Sequence, residues 1–338
     1  MSKKRERREK ARLRRIGKQG VTQKQPEKTP ETQSRQSKKG FVNKLKKIYE
    51  KEYKKLMLIT LIMFILAVAQ IGYQTATTGD FIRKGVSLKG GITITIPGID
   101  YDADDLEDYL NKEFPDNDIA VRILTGVSGT SSLTIDADIT DSENIKKLES
   151  EISDKLDITS DDYTTNFVGS SLGSNFFRQT IIAVFIAFIA MALVVFIYFR
   201  LAIPSLAVVV SALCDIIETI AVINLLGINI STGGIAALLM LIGYSVDTDI
   251  LLTTRLFKRK EGNVEQNIYS SAKTGLTMTF SSIAAVTAAI LLSQSVALQQ
   301  IMTILLIGLI IDIPNTWIQN TGILKWYIKR KEAKGENV

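Results

Sequence analysis

Six runs of mostly apolar residues divide the chain, near 56–72, 179–199, 203–226, 233–254, 276–293 and 297–318. Each has the length of a helix that crosses a bilayer, which needs about 17–25 such residues. Between the first and second runs the rhythm changes. "ITITI" (92–96) alternates like a strand, and Pro97-Gly98 ends it. "YDADDLEDYLNKEF" (101–114) spaces Leu106, Tyr109, Leu110 and Phe114 as a helix does. "DIAVRIL" and "SSLTIDADI" read as two strands around the turn "TGVSGT". "SENIKKLESEISDKL" sets Ile145, Leu148, Ile152 and Leu156 on one side of a second helix, with Asp141 or Ser142 as its cap. "DYTTNFVG" is the last strand. The order β-α-β-β-α-β is the ferredoxin-like split plan, two helices on one face of an antiparallel sheet. The expected fold is therefore an α-helical polytopic membrane protein with six transmembrane helices and an α+β ferredoxin-like extracytoplasmic domain.

Charge adds a direction. Residues 1–55 hold 21 Lys/Arg against 6 Asp/Glu, whereas residues 73–178 hold 9 against 20. Basic short segments stay on the cytoplasmic side. With the amino terminus inside, the tail 1–55, the turn at Arg200, "RLFKRKEG" (255–262) and the tail 325–338 are cytoplasmic, and all are basic. The turns "GINIST" and "SQSVA" fall outside without charge. The predicted organisation is a basic disordered tail (1–55), a first transmembrane helix (56–72), an outer domain (73–178), a five-helix membrane region (179–324) and a basic tail (325–338). Both termini are placed in the cytoplasm of a cell-membrane protein. The long basic region lacks a clean cleavage site, so the first run is read as an anchor rather than a removable signal. Residues 1–40 lack apolar periodicity, and the basic tails suit anionic lipid. No nucleic-acid partner is expected.

The chain contains no His, which removes His triads, His metal sites and His proton shuttles. The single Cys, Cys214, permits neither an internal disulfide nor a Cys zinc site. "LKGG" is not a phosphate loop, because Lys89 precedes its glycines, and it reads as a turn into the first strand. No catalytic group, cofactor or metal is predicted.

The membrane runs carry carboxylates, each costing roughly 2.5–3.5 kcal/mol at a bilayer centre. Asp215 and Glu218 in the third run share a face with Ser211 and Thr219. In the fourth, Asp247 and Asp249 lie about 200° apart around the helix. Gly243 and Tyr244 go with Asp247, and Ser245 and Thr253 with Asp249. The fifth run offers Thr274, Thr277 and Ser281, and the sixth Gly308, Asp312 and Asn315, with Pro314 expected to break the helix. Such polar stripes are expected to face a bundle interior or a water path. No Lys or Arg lies within any run to pair with Asp247, which suits a group that gains and loses a proton. Asp247 is the leading candidate for an ion pathway, followed by Asp249, Asp215, Glu218 and Asp312.

Three stretches together, "VSLKGGITITIPG", "VGSSLGSNFFRQT" and "LLMLIGYSVDTDILLTTRLFKRKEG", resemble the SecD/SecF protein-export family, in particular its archaeal-type SecF members. The resemblance covers about residues 50–325. It implies half of a transporter of the resistance-nodulation-division (RND) type. Such a half pairs with a SecD-like chain, assists a SecYE-type translocon and uses the proton gradient to move exported preproteins. Carried over by position, Lys89, Gly90, Gly91, Gly243, Tyr244, Ser245 and Arg255 are signature residues, and Asp247 matches the acid of the "VDAN"-type segment. Asp249 takes the Asn position there. The bacterial "NDT" pattern would place its Asp at Thr248, and the Arg that bacteria carry near Thr277 is absent. Two other readings stay open: an RND-type small-molecule transporter half, and a structural partner of SecD without ion coupling. An intramembrane aspartyl protease would need Tyr-Asp and Gly-x-Gly-Asp where this chain has Cys214-Asp215 and Ser245-Val246-Asp247.

Overall fold

The computed structural model describes residues 52–99, 101–125, 131–258, 263–293 and 295–335. The expectations for residues 1–51, for most of the "TGVSGT" turn, and for 259–262 and 336–338 lie outside the described residues. Helix α1 (Tyr53–Thr78) leads through a four-residue helix, α2 (Val86–Lys89), into the α+β domain. That domain runs β1 (Gly91–Pro97), α3 (Ala103–Glu113), β2 (Ile119–Thr125), β3 (Ser131–Ala137), α4 (Ser142–Leu156) and β4 (Thr164–Val168). The membrane part follows as α5 (Ser170–Phe199), α6 (Ala202–Leu225), α7 (Thr232–Phe257), α8 (Val264–Leu292) and α9 (Val296–Pro314). A π-helical segment (Asn315–Asn320) then joins α9 to α10 (Thr321–Ala333).

The sheet order is β2-β3-β1-β4, with every pairing antiparallel, as the split plan requires. Alternation decides its two faces. Ile92, Ile94 and Ile96 point into a core with Leu133, Ile135, Leu106, Leu110, Leu148 and Ile152. Asp141 caps α4 by accepting the backbone N–H groups of Glu143 and Asn144. Asp102 caps α3 through the N–H of Asp104.

The two glycines of "LKGG" turn the chain into β1 with φ of +93° and +134°, the region that favours Gly. A Cβ on Gly91 would lie 2.2 Å from the Ala137 carbonyl oxygen, and one on Gly90 2.4 Å from the Ser170 backbone. This signature therefore fixes a close approach between the sheet and the start of α5. The segment before it is clamped to the α6–α7 turn. Gly85 donates its N–H to the Ile230 carbonyl at 2.8 Å, and Ile230 returns one to Arg83 at 2.7 Å. Asn224 completes the clamp through the Arg83 N–H (3.2 Å) and the Phe81 carbonyl (3.0 Å).

Six helical units among the described residues are long and apolar enough to span a membrane. Several extend past their apolar runs: α1 to Thr78, α5 back to Ser170 and α8 back to Val264. Backbone hydrogen bonding continues wherever water can solvate the side chains, so composition alone underestimates helix length. Three of the units form the interior. Inside the protein lie 61%, 56% and 50% of the apolar windows of α6, α7 and α9–α10, against 11%, 6% and 17% for α1, α5 and α8.

Pro314 does not end the sixth span. It lacks an N–H and cannot serve the carbonyl four residues back, which disfavours a regular α-helix. The chain widens into the π segment and continues helically to Ala333.

Candidate functional site

Helix α7 carries two unlike faces. Ser231 caps its start by accepting the Gly234 N–H. Ser245, Asp249 and Thr253 are completely buried, Ser245 bonded to α6 and Asp249 to the π segment. On the other side Thr232, Ala236, Met240, Gly243, Tyr244 and Asp247 form an exposed stripe. Tyr244 is 43% and Met240 41% exposed, and a Cβ on Gly243 would meet nothing within 4 Å.

Asp247 was expected to face the bundle interior, but the structure turns it outward. The reason is angular. Only one of two carboxylates about 200° apart can point inward, and the polar partners on α6 and the π segment all lie on the Asp249 side. The fifth span is likewise corrected. Thr277 and Ser281 are exposed and bond back to the carbonyls of Lys273 and Thr277, at 2.7 and 2.8 Å. Thr274 instead meets α7, accepting from Arg255 Nη2 at 3.0 Å, while Arg255 Nη1 donates to Ser270 at 3.1 Å. Arg255 thus joins α7 to α8. It lies eight residues beyond Asp247, about 12 Å along the axis.

The inward face builds a polar centre. Asp215 and Glu218 on α6, Asp249 on α7 and Asp312 on α9 are 0%, 3%, 0% and 1% exposed. Ser245 donates to Asp215 Oδ2. Asn315 Nδ2 donates to both Asp215 Oδ1 (2.8 Å) and Glu218 Oε2 (3.0 Å). Asn320 Nδ2 donates to Asp249 Oδ1 at 2.6 Å. Asp312 accepts from Thr316 at 3.0 Å and from Thr248 at 3.4 Å. The π geometry makes this possible. Residues five apart stand about 140° apart on an α-helix, but a π turn closes between i and i+5 and brings Asn315 and Asn320 to the same side.

Asn320 and Thr316 belong to this centre and were not among the sequence candidates: Asn320 lies beyond the apolar run 297–318, and Pro314 was expected to break the helix before both. The remaining signature residue, Lys89, works at the edge of the α+β domain. Its Nζ meets Asp138 Oδ2 at 2.7 Å and Asp118 at 3.7 Å. Burial pulls the Lys89 ammonium down, but the bond and the charge of Asp138 outweigh it and the value is raised. Burial likewise pushes the Asp138 carboxyl up. The bonds from Lys89 and the Asp118 N–H outweigh that and hold it below the usual range.

A cleft of about 840 Å³ separates the helix-free face of the sheet from the amino-terminal ends of α7 and α9. Thr93, Thr95, Thr134 and Asn166 line one wall, and Asn229 and Gln300 the other. Arg122 is paired with Asp136 within it. The sequence pattern identified the polar positions of these strands but not what they face.

Six candidate spans, a split βαβ domain between the first two, and carboxylates inside the bundle define the class as a polytopic membrane protein with an inserted α+β domain. Residues 147–330 match the family profile described as "Protein export membrane protein SecD/SecF, C-terminal". The protein-export membrane protein SecF of Pyrococcus furiosus is 38% identical over 86% of this chain and 96% of its own length. That of Methanocaldococcus jannaschii is 37% identical over 84% and 99%. The crystal structure of SecDF, a translocon-associated membrane protein from Thermus thermophilus, shares the fold with a TM-score of 0.66 at 18% identity. The match covers 82% of this chain and 38% of that one. The chain belongs to the SecD/SecF family, as a SecF-type protein-export membrane protein of the Sec machinery, and it is not an enzyme.

Proposed function

We propose that this chain pairs through the outward stripe of α7 with a SecD-like subunit, and that Asp247 couples export to the proton gradient within that interface. The observation that carries the reading is the exposure of Asp247 beside Gly243 and Tyr244 in a spanning helix. A carboxylate facing lipid there costs roughly 2.5–3.5 kcal/mol, so a partner helix covers it. Small residues such as Ala236 and Gly243 let a second backbone approach closely. The missing counter-charge is then supplied, or the proton held, across the interface. Each proton crossing 100 mV yields about 2.3 kcal/mol. In this reading the termini are cytoplasmic, the basic tails rest on anionic lipid, and the domain after α1 works outside beside a SecYE-type translocon. The Thr- and Asn-lined cleft offers an exported preprotein sequence-tolerant hydrogen bonding.

The test is export into vesicles containing this chain, its SecD-like partner and the translocon, with and without a proton gradient. Asp247→Asn is expected to abolish the gradient-dependent fraction while the two subunits still copurify. Unchanged gradient-dependent export in that variant overturns the coupling role and leaves a structural subunit.

A further inference from the structure

We infer that the groove between α1, α6 and α10 holds one hydrocarbon chain of an anionic phospholipid, with the lipid phosphate among Lys54, Lys329 and Arg330. The groove has a volume of about 570 Å³, and no residue of α7 lines it. It is therefore separate from the outward stripe of α7 and from the Thr- and Asn-lined cleft. Its walls are Leu58, Leu61 and Phe64 of α1, Leu213 of α6 and Ile323 of α10. Three polar side chains lie deeper than its mouth: Thr60, Cys214 and Gln319. Thr60 donates to the Met57 carbonyl at 3.0 Å, and Gln319 Nε2 donates to Cys214 Sγ at 3.2 Å. These groups are engaged within the protein, so the wall offered to an occupant is hydrocarbon.

From Lys54 to Phe64 that wall runs ten residues along α1, about 15 Å. The hydrocarbon core of a bilayer is about 30 Å thick, so the groove has the depth of one leaflet. Tyr53 meets Lys325 and Lys329, and Met57 packs on Gly322, so α10 runs antiparallel to α1. The cations of α10 therefore gather at the Lys54 end. Lys329 Nζ stands 4.9 Å from the centre of the Tyr53 ring, and the Arg330 guanidinium 5.3 Å from that of Trp326. Both rings line the mouth, as aromatic side chains do at headgroup depth. Among the described residues no carboxylate forms an ion pair with Lys54, Lys329 or Arg330. Cations without anions at the mouth of an apolar slot complement a phosphate that carries a hydrocarbon chain.

A partner helix does not suit the same space. It is about 10–12 Å across, so one turn alone fills about 500 Å³, and this depth takes about three turns. A lipid chain seated here lies against Gln319, on the π segment that also supplies Asn315 and Asn320 to the carboxylates. Such a seat goes beyond the general contact of the basic tails with lipid, and it does not depend on the role of Asp247.

The test is photolabelling of the full chain, with its SecD-like partner, in phosphatidylcholine vesicles. The probe is phosphatidylglycerol with a diazirine at the end of one chain, and labelled peptides are mapped by mass spectrometry. Labelling is expected to concentrate on the groove walls around Phe64, Leu213 and Ile323. It is expected to fall at least fivefold when phosphatidylcholine carries the same diazirine. The triple variant Lys54→Gln, Lys329→Gln, Arg330→Gln is expected to lose it to the same extent. So is Leu213→Trp, which fills the groove and keeps the cations, whereas Asp247→Asn leaves labelling unchanged. Equal labelling by the two lipids, even labelling over the exposed faces of α1, α5 and α8, or crosslinking of a partner helix in the groove overturns the inference. Contact of the tails alone with anionic lipid gives the even pattern, so the two readings fail separately. The wild-type comparison of the two lipids decides the matter even where a variant does not assemble.

Discussion

Asp247 and Asp249 stand two residues apart on one helix and live in different surroundings. Asp249 is wholly buried and held by an amide from the π segment, whereas Asp247 faces outward among Met240, Gly243 and Tyr244. The difference teaches that a carboxylate in a membrane helix has two ways to be tolerated. It can be enclosed by polar groups of its own chain, or left for a partner to enclose. The first makes it part of the fold, and the second makes it part of an interface.

The largest expected effect breaks the inner face. Asn315→Leu removes the amide shared by Asp215 and Glu218, leaving Glu218 without a donor and Asp215 with Ser245 alone. A loss of about 3 kcal/mol is expected, read as a large drop in thermal unfolding temperature in detergent. A loss no greater than that of an exposed substitution would show that the inner centre does not support the fold. Asp247→Leu sharpens the contrast from the outer face. It is expected to change the stability of the isolated chain by less than about 1 kcal/mol, while gradient-driven export falls at least tenfold. Equal destabilisation by the two variants would erase the distinction between the faces.

Gly243→Leu acts on the interface alone, since a Cβ there meets nothing in this chain. It is expected to weaken pairing with the SecD-like subunit by about 1–2 kcal/mol, measured as the fraction copurifying. The smallest effect is a control outside the membrane. Asp138 is held below the usual carboxyl range, so its contribution is present above the ordinary carboxylate range and disappears as the pH falls below about 4. Lys89, raised, contributes at neutral pH and loses this only as the pH climbs past about 10.5. The pair is partly exposed, so Asp138→Asn is expected to cost under about 1 kcal/mol. It should flatten the acid limb of stability and leave export at neutral pH unaffected.

Much of this was legible in the chain. The period of Ile92, Ile94 and Ile96 announced β1, and the spacing of Leu148 and Ile152 announced α4 with its Asp141 cap. The six apolar runs announced the spans, because local hydrogen bonding and side-chain period are properties of neighbours in sequence. The separation of Asp247 from Asp249 around α7 also followed from 3.6 residues per turn. Which of them faced inward did not. That depends on where α6 and the π segment pack, 30 or more residues away in sequence. Asn320 was invisible for a related reason. Pro314 has the local chemistry of a helix end, yet packing against α6 and α7 carries the chain through a π turn and brings a second amide to the carboxylates. The sequence by itself determined the elements, the class and the family. The tertiary structure alone decided which carboxylates are enclosed, because burial is set by contacts between distant segments rather than by any residue's own preference.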